Sequence, residues 1–192
     1  MEYCIVHQTS EFIDEVFHLK NEQKQQHAEA INNLPHIAVI TQRIDVIQRL
    51  FQQEIPLDLK DENGNTALHL AANFNSNVEI VRFLLDNGAE KKKIGQFGRN
   101  AFLCACAKNT NLEIVKLFYE DESDLTTTDE DGDTALHIAA YFNSSVRVVG
   151  YLLKIGSDTN KVNNFGNTPY QSASKYNKNI DVVEFLRDKT IQ

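Results

Sequence analysis

The sequence predicts an all-α fold: a solenoid of repeated helix pairs joined by hairpin-like loops, with one extra helix at the amino-terminal end. Three observations point there. Gly64, Gly98, Gly132 and Gly166 stand 34 residues apart, each opening a similar block. Each block is followed by a second apolar run, so every period holds two short helices. The 192 residues, 42% hydrophobic and 24% charged, suffice for one ordinary domain or for several small units stacked together.

The first helix of each unit comes from DENGNTALHLAA (61–72), GQFGRNAFLCAC (95–106), DEDGDTALHIAA (129–140) and NNFGNTPYQSAS (163–174). The glycines sit in polar turns, where a residue without Cβ adopts positive φ. Thr66 and Thr134 precede apolar runs, as N-caps do, and His69 and His137 follow at i+3, within reach of the turn. Ala71–Ala72 and Ala139–Ala140 let neighbouring helices approach closely. The second helix comes from NVEIVRFLLDNGA, NLEIVKLFYED, SVRVVGYLLKIGS and NIDVVEFLRD. In the first of these, Ile80, Val81, Leu84 and Leu85 form one buried stripe. Each unit leaves an apolar face that only the next covers, so stability is a sum over neighbours. Upstream, Ser10 and EFIDEVFHL read as a capped amphipathic helix, with Phe12, Val16 and Leu19 on one face.

These blocks resemble the ankyrin repeat, whose pattern runs D-x-x-G-x-T-P-L-H-x-A-A before a leucine-rich helix ending in G-A. The resemblance is strong over 61–188 and weak over 27–60, where IDVIQRLFQQEI (44–55) and Ala38 keep the register without the T-x-L-H signature. It implies an amino-terminal extension over 1–26 and repeats at about 27–60, 61–94, 95–128, 129–162 and 163–192. The units depart from the common length of about 33 by one residue between the helices, where the usual glycine is missing. The third unit departs furthest: Asn100 replaces threonine, Leu103 histidine, and Phe118–Tyr119 a leucine pair. It is expected to be locally less stable.

Composition excludes several classes of function. A net charge of −8 disfavours binding to phosphate backbones, so no nucleic-acid partner is expected. No apolar run approaches the ~18–20 residues that span a bilayer, and MEYCIVHQTSEF is no signal peptide. Cys4, Cys104 and Cys106 are too sparse for a disulfide scaffold and suit the cytoplasm, or for an effector the host-cell cytosol or nucleus. The 19 asparagines read as a compositional bias.

Catalytic chemistry has no foothold. Phosphate-binding loops and nucleophile elbows are absent, and no two histidines stand four apart. Cys104 and Cys106 project about 200° apart on a helix and read as packing residues. Asp129, Asp131 and Asp133 alternate as calcium ligands do, but Gly132 is misplaced for such a loop. Lys91–Lys92–Lys93 reads as a solvated run, with a nuclear-import or anion-binding role as the alternative, and NNLPHIAVI (32–40) only faintly resembles an F-box opening. No cofactor or metal is expected, and no enzyme.

The resemblance implies a protein partner held by hairpin tips and inner helices, with the chain acting as scaffold, adaptor or inhibitor, or as an effector on a host or signalling protein. The candidate contacts are Asn63, Asn65, Phe97, Arg99, Asp131, Asp133 and Phe165 at the tips. Phe74, Lys108, Tyr141, Phe142 and Tyr176 join them at the helix ends. Phe97 and Phe165 occupy turn positions that need no core side chain, which favours binding. Phe74, Phe142 and Tyr176 share one register and either pack the longer loop or meet the partner. Arg99 is expected to pair with Glu130 or Asp131. Asn160 stands where asparagine hydroxylases act on some ankyrin proteins, and the chain is expected to be monomeric.

Overall fold

The computed structural model describes residues 28–74, 77–143 and 145–190; the helix expected within 1–26 lies outside them. Among the described residues the regular elements are helical. The chain runs α1 (Ala28–Ile40), α2 (Ile44–Gln52), α3 (Ala67–Asn73), α4 (Val78–Asp86), a 3-10 turn (Gln96–Gly98), α5 (Ala101–Lys108) and α6 (Leu112–Phe118). It continues with a short α7 (Glu122–Thr126), then α8 (Ala135–Phe142), α9 (Val146–Lys154), α10 (Pro169–Tyr176) and α11 (Ile180–Thr190). Helices α1, α3, α5, α8 and α10 pack in series as an inner layer, and α2, α4, α6, α9 and α11 as an outer one. The result is five stacked pairs.

Local chemistry explains each element. Thr66 and Thr134 end their turns in extended backbone and cap α3 and α8 through the histidines three residues on. At α5 the substitution of Asn100 for threonine keeps the cap, because its Oδ1 accepts the Leu103 N–H at 2.9 Å. Thr168 and Gln171 close a reciprocal box at α10, with Pro169 in the first helical position. Pro35 lies inside α1, in the register of His69, and leaves that helix one backbone hydrogen bond short there.

Packing follows the repeat. Alanines 67, 71, 72, 101, 105, 135, 139 and 140 are fully buried where inner helices touch. In the outer layer Val46–Ile47–Leu50, Ile80–Val81–Leu84, Ile114–Val115–Phe118 and Val148–Val149–Leu152 are buried in one register, which Val182 and Leu186 continue. Glu184, Arg187, Asp188 and Lys189 face solvent at the far end. Phe102, Leu103 and Phe118 fill the third unit with larger side chains, all buried.

Two devices replace expected glycines. Gly88 and Gly156 end α4 and α9 at φ 89 and 102; in the first unit Glu54 holds that register at φ 57. The third unit instead starts α7 there, with Asp121 capping Ser123 N at 2.7 Å and buried Asp124 accepting Glu120 N at 2.7 Å. Between the helices, asparagine fills the loop where glycine is usual. Asn109 Nδ2 donates to Ala72 O, Asn143 Nδ2 to Cys106 O and Asn109 O, and Asn177 Nδ2 to Ala140 O and Asn143 O, all within 3.0 Å. Their Oδ1 atoms accept the N–H two residues on. Each asparagine therefore satisfies carbonyls of the preceding unit and shapes its own loop.

Candidate protein-binding surface

The hairpin tips are built on one residue per unit. Asp61, Asp129 and Asn163 each accept two backbone N–H groups through Oδ1, from the residues two and four places on, at 2.8 to 3.1 Å. The third unit has Gly95 in that register. A Cβ there would lie 2.6 Å from Asn65 Oδ1 and 2.9 Å from His69 Cδ2, so the neighbouring unit excludes a side chain. The anchoring carboxylate is lost, and the turn closes instead through Gln96 N on Asn65 Oδ1 and a 3-10 turn. Phe97 in that turn sits at φ 61, ψ 21, a left-handed conformation that costs a bulky side chain about 1 kcal/mol. Phe97 as a whole is 58% exposed.

Arg99 turns back from this tip across the inner face. Its Nε donates to Asp129 Oδ2 at 2.9 Å, Nη2 lies 2.9 Å from the same oxygen as an ion pair, and the two side chains are 14% and 1% exposed. The partner is thus Asp129 rather than the expected Glu130 or Asp131: the buried carboxylate already has its second oxygen filled by turn amides and needs a cation on the first. The guanidinium lies 5.6 Å from the Phe97 ring and 5.2 Å from that of Phe142. Phe142 contacts Tyr141 at 4.2 Å between centroids, Tyr141 stacks on Tyr176 at 4.6 Å, and Lys175 Nζ lies 5.1 Å from the Tyr176 ring. Three units thereby contribute to one aromatic ridge with cations laid on it.

A groove of ≈ 420 Å³ runs beside this ridge. Phe165, Phe142, Tyr141, Tyr176, Arg99, Asp131 and Lys175 line it. On the other side of the ridge a second hollow of ≈ 440 Å³ adds Lys178 and the loop asparagines 177 and 179. Phe165 is 68% exposed, and Phe142 and Tyr176 are nearly half exposed. So the ridge residues pack against one another and still present a face outward.

Not every expected contact faces outward. Asn65 and Asp133 are buried: Asn65 Oδ1 is held by Gln96 N, and Asp133 Oδ1 takes the Asn163 amide, because their register turns toward the next unit. Burial also raises the Asp133 carboxyl above the usual carboxylate range. Asn63, Phe74 and Lys108 are exposed but stand apart from the groove lining. Asp131 is exposed at the acidic tip.

The lysine run, the two cysteines and the segment 32–40 all make contacts within the chain. Lys91 and Lys92 meet Glu120, and Lys93 meets Asp58 and Glu90. Burial pushes the Cys104 thiol up to about 12 and Cys106 well above its ordinary value. The segment 32–40 is the packed core of α1, with Leu34, Ala38 and Val39 fully buried. Among the described residues no group of three His, Cys, Asp or Glu side chains is placed to hold a metal, and no helix is long and apolar enough to cross a membrane.

Histidines stitch the units together. His36 Nε2 lies 3.0 Å from Asn65 O, His69 Nε2 2.9 Å from Lys93 O and 3.2 Å from Arg99 O, and His137 Nε2 3.0 Å from Asn167 O. Thr66 N donates to His69 Nδ1, so His69 Nε2 carries the proton and donates onward. Burial lowers both the His69 and His137 pKa values. Sequence reasoning missed His36, which is one residue out of register, and the asparagines at 109, 143 and 177, whose 34-residue spacing was the available signal.

Helix pairs stacked in a fixed 34-residue register define a repeat protein. The family described as ankyrin repeats (3 copies) matches residues 3–94 and 101–192, and the chain belongs to the ankyrin repeat family. The first matched segment thus begins upstream of the described residues. No curated protein matches the chain. Ankyrin repeats are generally protein–protein interaction modules, typically without catalysis.

Proposed function

We propose that this protein binds a partner protein through the inner face of its third to fifth units. The observation that supports this is the continuous ridge Phe97–Arg99–Phe142–Tyr141–Tyr176, drawn from three repeats and bordered by a groove that Phe165 overhangs. Aromatic rings with arginine are the composition of interface hot spots, and a stacked solenoid loses little ordering entropy on binding. In a division into repeats at about 27–60, 61–94, 95–128, 129–162 and 163–192, that surface falls on the last three. One concentrated surface favours an adaptor or inhibitor that engages a single partner there over a scaffold that holds two.

The test is a cross-linked pull-down with wild type, a Phe97→Glu/Phe165→Glu variant and a Val162→Glu control, each melting cooperatively. A protein retained by wild type and control and lost by the double variant supports this face. Equal retention by all three removes it.

A further inference from the structure

We propose that the groove takes an acidic, apolar segment of its partner: a bulky apolar side chain seated between Phe165 and Tyr176, with one carboxylate beside it meeting Lys175 and another, across the ridge, meeting Lys178. This rests on the reading of the groove as the protein-binding surface and adds the chemistry of what enters it.

The apolar half follows from shape. Grooves of ≈ 420 and ≈ 440 Å³ flank one aromatic ridge, each in the size range that holds a few buried side chains. Phe165, Phe142 and Tyr176 are exposed around them, and Ile180, 63% exposed, lies two residues beyond Lys178. A partner that covers these side chains removes from water an apolar patch that the isolated chain leaves open.

The acidic half follows from how the protein treats its own lysines. In a chain of net charge −8, the cluster Lys91–Lys93 is neutralised completely by Asp58, Glu90 and Glu120. Lys175 and Lys178 are exposed and have no ion pair among the described residues. Lys175 lies against the Tyr176 ring, where the aromatic face holds it toward the groove. The other cation of the groove, Arg99, is already spent on Asp129. Asp133 is buried on Asn163, and the outward carboxylate of the lining is Asp131, at the hairpin-tip end. The groove is therefore positive where the helices end and negative at the tip. A basic segment lying on the ridge sets like charge against both lysines, whereas a carboxylate in either hollow finds a lysine with no ion pair among the described residues. With the whole chain acidic, these lysines set register and specificity at short range more than they steer encounter.

Selection of random peptides displayed on phage, against the full chain, tests this. The enriched peptides are then synthesised and titrated by fluorescence polarisation into wild type, Lys175→Glu/Lys178→Glu and Phe165→Ala, all with wild-type melting. The expected peptides carry Asp or Glu beside Phe, Leu or Trp. Their affinity falls about tenfold on reversing the lysines, and a peptide with lysine in place of its acid recovers on that variant. Peptides that need Phe165 but show no acidic bias, or ignore the lysine reversal, overturn the acidic assignment and leave the groove as the binding surface. Peptides indifferent to Phe165→Ala overturn both. Basic peptides that depend on Asp131 overturn the proposed polarity, and absence of enrichment overturns the short-segment form. A concentration-dependent dimer abolished by Phe165→Glu replaces the proposal with a second copy of the chain.

Discussion

Asn143 donates through Nδ2 to the carbonyl of Asn109, its counterpart one repeat earlier, at 3.0 Å. The same amide reaches Cys106 O, and Oδ1 holds Ser145 N. Asn143 is 1% exposed, so water does not replace these bonds. Asn143→Ala strands buried carbonyls and is expected to cost about 1–3 kcal/mol. Asn177→Ala, part-buried beside the last helix pair, costs less. Urea denaturation of both variants checks the order, and equal losses below about 0.5 kcal/mol contradict it.

Acid is expected to loosen the stack. The folded pKa values of His69 and His137 are depressed by burial below the ordinary 6.5. Above 6.5 both states are neutral and the full stability is present; as pH falls below 6.5 the unfolded chain takes up protons that the folded one refuses. Stability therefore declines toward the folded pKa values, by at most about 1.4 kcal/mol per pH unit for each histidine. Chemical denaturation from pH 8 to 5.5 measures the slope, and His69→Gln/His137→Gln flattens it. An unchanged slope in that variant assigns the titration elsewhere.

Phe97 sits in a conformation suited to glycine, yet faces outward. Phe97→Gly is expected to leave stability level or raise it by up to about 1 kcal/mol while weakening partner binding. Thermal melting and the affinity of a captured partner separate the two effects. A large loss of stability shows instead that the ring packs the tip.

Asp129→Asn keeps the turn acceptor, as Asn163 does in the next unit, but removes the charge that holds Arg99. Expected is a loss of about 1–3 kcal/mol, most of it absent when Arg99 is already alanine. A double-mutant cycle in urea reads the coupling, and additivity of the two changes denies it.

The repeat itself was legible because it obeys local rules at a fixed interval. Thr66 caps, His69 follows at i+3, Ala71–Ala72 pack and Ile80–Val81–Leu84 bury, and each recurs 34 or 68 residues later. What escaped is what depends on the neighbouring unit. Asn65 and Asp133 look like tip residues in one dimension, but the solenoid brings the next turn over them. Arg99 finds Asp129 because Gly95 leaves its own tip without a carboxylate, a relation between units that no single block contains. The exposure of Phe97 and Phe165 was readable, since a turn has no interior to fill. The joining of Phe142, Tyr141 and Tyr176 was not, because it follows from how α8 and α10 lie together.

The joints of the stack are chemically unequal. Neighbouring pairs are tied by a histidine at the first, second and fourth junctions, through His36, His69 and His137. At the third junction Leu103 stands in the histidine register, and Arg99–Asp129 spans the gap. Burial lowers the pKa values of the histidines at the second and fourth junctions, so the pH dependence of the stack is concentrated there. The same guanidinium touches Phe142 on the recognition ridge. The residue that joins the third and fourth units is therefore also part of the exposed ridge, so a change at Arg99 alters the joint and the surface together.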